Sequence, residues 1–138
     1  MLSSHNGAPR GSETILLMDT DPEIRKLAAF MLGKQGYTVL EARTRAEAVS
    51  MLERSSERID MLLLESRGRG RELAEELKQN QPYTAVLFLC CEPAKGRQPD
   101  LAPGTFLRKP FTMSEIAGKV REVLDSRSMK TMTAGSSV

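Results

Sequence analysis

Residues 15–42 read ILLMDTDPEIRKLAAFMLGKQGYTVLEA, and this stretch decides the fold. Thr14 to Met18 is continuously apolar after its first residue, as a parallel strand buried on both faces requires. Asp21-Pro22 then opens a helix, with an acceptor at the cap and a proline in the first turn, where its missing N–H costs nothing. Ile24, Leu27, Ala28, Met31 and Leu32 recur at the 3, 4, 7, 8 spacing and predict one inward apolar stripe. Gly36 ends that helix, and Tyr37 to Ala42 is a second strand.

The alternation continues outward from there. Arg45 to Ser55 predicts a helix with Ala48, Val49 and Leu52 inward, and Ile59 to Leu64 a third buried strand. Arg71 to Asn80 shows Leu73, Ala74 and Leu77 on one helical face, and Thr84 to Cys90 is a fourth strand. Residues 92–104 hold three prolines and two glycines, so a fourth helix there must be short or broken. Thr105 to Arg108 is a brief fifth strand, and Thr112-Met113-Ser114-Glu115 has the capping-box spacing that starts a last helix. Five strands alternating with helices argue for an α/β fold, an open doubly wound parallel sheet. In such sheets the functional crevice lies at the carboxyl ends of the strands, near the switch in strand order. The residues to watch are therefore Asp19 to Asp21, Glu65 to Gly70, Cys90 to Glu92 and Arg108 to Pro110.

Composition narrows the class. A chain of 138 residues fits one domain with short tails, and we expect tails at 1–12 and 127–138 flanking a domain at 13–126. A net charge of +2 is too small to imply a nucleic-acid or membrane partner. No apolar run approaches the roughly 20 residues that span a bilayer, and the start, MLSSHNGAPRGSE, lacks a signal-peptide core. Cys90 and Cys91 are adjacent and form neither a disulfide framework nor a zinc motif, so a reducing cytoplasm is the expected setting.

The opening stretch, an apolar third strand ending in an acid, and FLRKPF at 106–111 before a capped helix together resemble the receiver domain of two-component response regulators, over roughly residues 13–126. The resemblance implies a flavodoxin-like sheet of order 2-1-3-4-5. It implies an aspartate ending the third strand that accepts a phosphoryl group from a histidine kinase. It also implies an acidic pair that holds Mg²⁺, a hard cation preferring carboxylate and water oxygens. A Ser or Thr ending the fourth strand and a lysine ending the fifth would bind phosphoryl oxygens, with a cis proline following the lysine. An aromatic switch position falls on Phe106.

Three of those positions depart from the pattern. Glu65 stands at the phosphoacceptor position, the acidic pair is Asp19-Thr20, and Cys90, a poor donor, replaces the Ser or Thr. Lys109 and Pro110 remain. The following loop, Ser66-Arg67-Gly68-Arg69-Gly70, is short and basic, and Arg67 would further offset the pocket's acids. Two carboxylates against one ammonium leave a single negative charge, so a divalent cation loses a ligand and much of its electrostatic reason to bind. The expectation is a degenerate, non-enzymatic receiver with no cofactor, Mg²⁺ binding lost or weak, and no phosphotransfer. It would work by contact with a protein partner such as a histidine kinase or regulator, through the face of the fourth helix, fifth strand and last helix.

Several readings stay open on the sequence. Glu65 is either a resident activating mimic or a tolerated acid paired with Lys109. A working phosphoreceiver could use another acceptor such as Ser66. A flavodoxin-like cofactor binder is disfavoured, because Asp19-Thr20-Asp21-Pro22 offers acids and a proline where a phosphate needs free amides. Arg67, Arg69 and Arg71 lack interleaved aromatics for base stacking and read as a solvated loop.

Overall fold

The computed structural model describes residues 10–54, 58–66, 72–76, 84–90 and 106–136. Strands β1 (Thr14–Met18), β2 (Thr38–Ala42), β3 (Met61–Glu65), β4 (Ala85–Cys90) and β5 (Phe106–Arg108) form one parallel sheet of order β2-β1-β3-β4-β5. Helices α1 (Pro22–Lys34) and α2 (Arg45–Arg54) follow the first two strands, residues 72–76 are helical (α3), and α4 (Met113–Ser136) closes the chain. The expected fourth helix falls at 92–104, outside the described residues.

Side-chain alternation on the central strands feeds two core layers. Ile15, Leu17, Met61, Leu63, Leu87 and Leu89 face one way, against Ala28 and Leu32 of α1 and Ile116, Val120 and Leu124 of α4. Leu16, Met18, Leu62, Leu64, Val86, Phe88 and Cys90 face the other way, against Ala48, Leu73 and Ala74. Both faces are covered, which is why the central strands read as unbroken apolar runs rather than as alternations. Each fully buried leucine contributes roughly 1.5–3 kcal/mol.

Local chemistry sets the helix ends. The Asp21 carboxylate accepts from the amides of Glu23 (3.0 Å) and Ile24 (3.5 Å), a cap worth about 1 kcal/mol. At the start of α4 the capping box is reciprocal: the Thr112 amide donates to Glu115 Oε1 at 2.8 Å and the Glu115 amide to Thr112 Oγ1 at 3.1 Å. Gly36 sits at φ 104°, and a β-carbon there would lie 2.2 Å from the Gly11 carbonyl oxygen, so only glycine fits.

Three expectations need correction. Leu27 is 44% exposed instead of inward, because the inner stripe of α1 runs through Arg25, Ala28 and Leu32. Two residues past Arg25 is about 200° round the helix, which turns Leu27 to solvent. Residues 10–12 are not a loose tail: the Gly11 amide donates to the Gln35 carbonyl at 3.0 Å, and Arg121 bonds the Arg10 carbonyl at 3.4 Å and Glu13 Oε2 at 2.7 Å. At the other end α4 runs to Ser136, past the boundary expected at 126. Nothing between Arg127 and Ala134 breaks a helix, and a nucleated helix propagates one bond per residue.

Candidate functional site

The strand order reverses at β1, with β2 on one side and β3 on the other, so the chain diverges where β1 and β3 end. That is where a doubly wound sheet opens its crevice. A cleft of about 310 Å³ lies there, lined by Asp19, Thr20, Asp21, Ile24, Glu65, Lys109 and Pro110. At about 30 Å³ per water it has room for a small hydrated ion or a phosphoryl group, so what decides its chemistry is how its polar groups are already committed.

Asp19, the first residue after β1, is fully buried. Its Oδ2 accepts from Lys109 Nζ at 2.8 Å and its Oδ1 from the Asp21 amide at 2.9 Å. Lys109 is itself only 12% exposed, so the pair is largely withdrawn from water. The backbone on both sides is held. The Asp19 amide donates to the Ala42 carbonyl at 3.3 Å, and the Asp19 carbonyl accepts from Arg25 Nη1 at 2.8 Å. Arg25 is buried and also pairs with Glu41 at 3.2 Å, linking α1 to β2 beneath the acid. On the opposite side the Lys109 amide donates to the Cys90 carbonyl at 2.7 Å, and the Lys109–Pro110 peptide is cis.

Glu65 closes β3, and the next amide, of Ser66, donates to the Leu89 carbonyl at 2.9 Å. Its carboxylate does not pair with Lys109, as one of the sequence readings had it. Thr20 takes it instead: the Thr20 amide donates to Glu65 Oε1 at 2.8 Å, and the Thr20 hydroxyl lies 3.0 Å from Oε1 and 3.2 Å from Oε2. The physical reason is competition. Asp19 already neutralises the ammonium from a fully dry position, whereas Thr20 presents two donors to a neighbouring acid. Burial, and next the nearby Asp19 carboxylate, push the Glu65 pKa up; the Thr20 donors pull it back only in part.

Asp19, Thr20, Glu65, Lys109 and Pro110 are thus brought together. Cys90 is not in the cleft lining; it is a buried free thiol packed with Met18, Leu64 and Phe88. Phe106 is half-buried against that same layer. Arg67, with Arg69, Arg71 and Cys91, lies outside the described residues. The sequence reading missed Arg25 and gave Ile24 a core role without a place in the cleft. Arg25 carried a signal of a kind, since it lies three and seven residues before Ala28 and Leu32 on the buried stripe, but hydrophobic periodicity counts only apolar residues. No described helix is long and apolar enough to cross a membrane.

Comparison with known proteins agrees with this geometry. The family model for the response regulator receiver domain matches residues 15–121. The sensor kinase CckA of Brucella abortus (strain 2308) is 30% identical over 123 residues, covering 85% of this chain and 13% of that protein. The transcriptional regulatory protein CpxR of Klebsiella pneumoniae is 31% identical over 135 residues, covering 88% of this chain and 55% of that protein. The chain therefore spans only part of the length of these relatives. Among solved structures, a response regulator receiver protein from Sinorhizobium medicae superposes with a TM-score of 0.69 at 24% identity, covering 84% of this chain and 97% of the other. NtrX from Brucella abortus gives 0.75 at 19% identity, covering 91% and 29%. At these identities the structures speak for the fold alone.

Proposed function

This chain belongs to the response regulator receiver domain family, and we propose that it is a degenerate member that signals through protein contact without accepting a phosphoryl group. The observation that carries the reading is the commitment of the cleft's polar groups to one another: Lys109 to Asp19, and Thr20 to Glu65. A phosphoryl group needs a cation whose charge meets its oxygens, and here the lysine's charge is already offset by a buried acid. It needs a short carboxylate as nucleophile, and here the carboxylate is longer and accepts from two Thr20 donors.

The donor set does not fit Mg²⁺. That ion demands a near-octahedral shell of oxygens and sheds water reluctantly. Position 20 supplies a hydroxyl in place of a carboxylate, both Asp19 oxygens already accept hydrogen bonds, and the Asp21 carboxylate caps α1. No three acidic, histidine or cysteine side chains among the described residues converge as a metal site. The domain is non-enzymatic on this reading, and its setting is the cytoplasm. Its partner is a two-component protein, a histidine kinase or a regulator, engaging the face that β5 and α4 contribute to.

The test is incubation with acetyl phosphate and Mg²⁺, read by intact mass. The expected result is no phosphoryl adduct at any time point. A stoichiometric adduct, whether a base-labile acyl phosphate on Glu65 or a phosphoserine on Ser66 that survives mild base, would overturn the proposal.

A further inference from the structure

Glu65 and Lys109 line the same cleft with opposite charges, yet they form no ion pair. Attraction between opposite charges across so small a space favours contact. Glutamate carries one methylene more than aspartate would. Something holds the carboxylate back, and the contacts name it. The Thr20 hydroxyl bridges both Glu65 oxygens while the Thr20 amide fixes one of them.

We propose that Thr20 is a positioning residue, a latch that keeps Glu65 off Lys109, and that the cleft has a second arrangement in which Glu65 joins Asp19 on the ammonium. The inference rests on the reading of this pocket as one that does not take a phosphoryl group, and it names how that pocket is set internally.

The mounting of each part supports it. The backbone before Thr20 is held through the Asp19 amide and carbonyl, so the latch sits on a fixed base. Glu65 is anchored by the pairing of β3 with β4 up to its own position, where Glu65 faces Leu89. Only its side-chain torsions separate the two arrangements, and staggered rotamers make such states discrete. Lys109 has three ammonium protons, and among the described residues only Asp19 receives one. It can therefore serve a second carboxylate without giving up the first. An acid at position 20 would repel Glu65, and an apolar residue would leave only the amide to hold it. A hydroxyl is the side chain that latches. In the latched state Glu65 is no standing mimic of a phosphorylated residue; unlatched, it places a second negative group on the lysine.

The test uses melting temperatures of Glu65→Gln, Lys109→Met and their double variant, measured in three backgrounds. In the wild type and in Thr20→Ser the departure from additivity should be modest and alike, because the two residues share Asp19 and a cleft but do not touch. In Thr20→Val, an isostere without the hydroxyl, the departure from additivity should grow to several degrees, because the pair now touches. A departure in Thr20→Val no larger than in the wild type, or Thr20→Ser behaving like Thr20→Val, would overturn the latch. Should Lys109→Met fail to fold, a crystal structure of Thr20→Val decides alone: the Glu65 carboxylate moves to hydrogen-bonding distance of Nζ or it does not. A phosphoryl adduct on the wild type would instead refute the functional reading and leave this additivity pattern standing.

Discussion

Replacing Asp19 by asparagine weighs the two electrostatic effects in the cleft against each other. If crowding between Asp19 and Glu65 dominates, removing a charge relieves repulsion and the variant gains stability. If the ion pair with Lys109 dominates, the variant loses stability. The structure favours the second outcome. The Asp19–Lys109 contact is 2.8 Å with side chains 0% and 12% exposed, whereas Glu65 retains solvent access and its own donors. The introduced asparagine could still accept from the Asp21 amide, but its NH₂ would face the ammonium, donor against donor. Breaking a buried pair from one side costs about 3–5 kcal/mol. Against a total of roughly 5–15 kcal/mol, the variant should remain folded but weakened. Lys109→Met should lose a comparable amount by stranding the carboxylate, and the double variant should lose less than the sum, with a coupling of at least about 2 kcal/mol. Urea titration checks this through the midpoint at unchanged slope. A neutral or stabilised Asp19→Asn, or strictly additive losses, would refute the reasoning.

Two further outcomes follow from the same geometry. The Glu65 pKa is raised from its ordinary 4.5, chiefly by burial. A raised carboxyl contributes stability that is present below the unfolded pKa and lost as pH rises through the folded one. Glu65→Gln does not titrate, so its melting temperature should match the wild type near about pH 4 and overtake it as pH rises, the gap levelling off above the raised pKa. A gap that closes as pH rises would reverse the sign and contradict the burial argument. Millimolar Mg²⁺ should leave the wild-type melting temperature unchanged. Occupancy at about 100 times the dissociation constant would add about 2.7 kcal/mol, a rise of several degrees that calorimetry would not miss.

The fold was legible because backbone chemistry is local. Asp21-Pro22 announces a capped helix, Thr112 to Glu115 a capping box, and the apolar runs a sheet covered on both faces; each is realised. Bringing Asp19, Thr20, Glu65 and Lys109 into one cleft followed from topology, since strand ends meet at the switch in order. Partners inside the cleft were less legible. Whether Glu65 turns to Lys109 or to Thr20 depends on side-chain positions that no spacing encodes. Arg25 escaped because a periodicity of apolar residues ignores a buried arginine whose charge is satisfied by Glu41 and the Asp19 carbonyl. The length of α4 escaped because Ser and Thr after Arg127 read as a tail, although neither stops a helix already running.

On the proposed function, substituted groups, and not the shape of the cleft, close this site to phosphotransfer. Thr20→Asp returns a metal ligand and Glu65→Asp shortens the nucleophile by one methylene; Cys90→Thr is added because the family resemblance puts an oxygen donor at that position, although the thiol here is buried outside the cleft lining. Metal, nucleophile and oxygen donors act as a unit, so no single change should suffice. The decisive measurement is fluorine resonance of beryllofluoride with Mg²⁺, on the wild type and the triple variant side by side. A bound signal is expected on the triple variant alone. A bound signal on the wild type, or none on the repaired pocket, would contradict that reading.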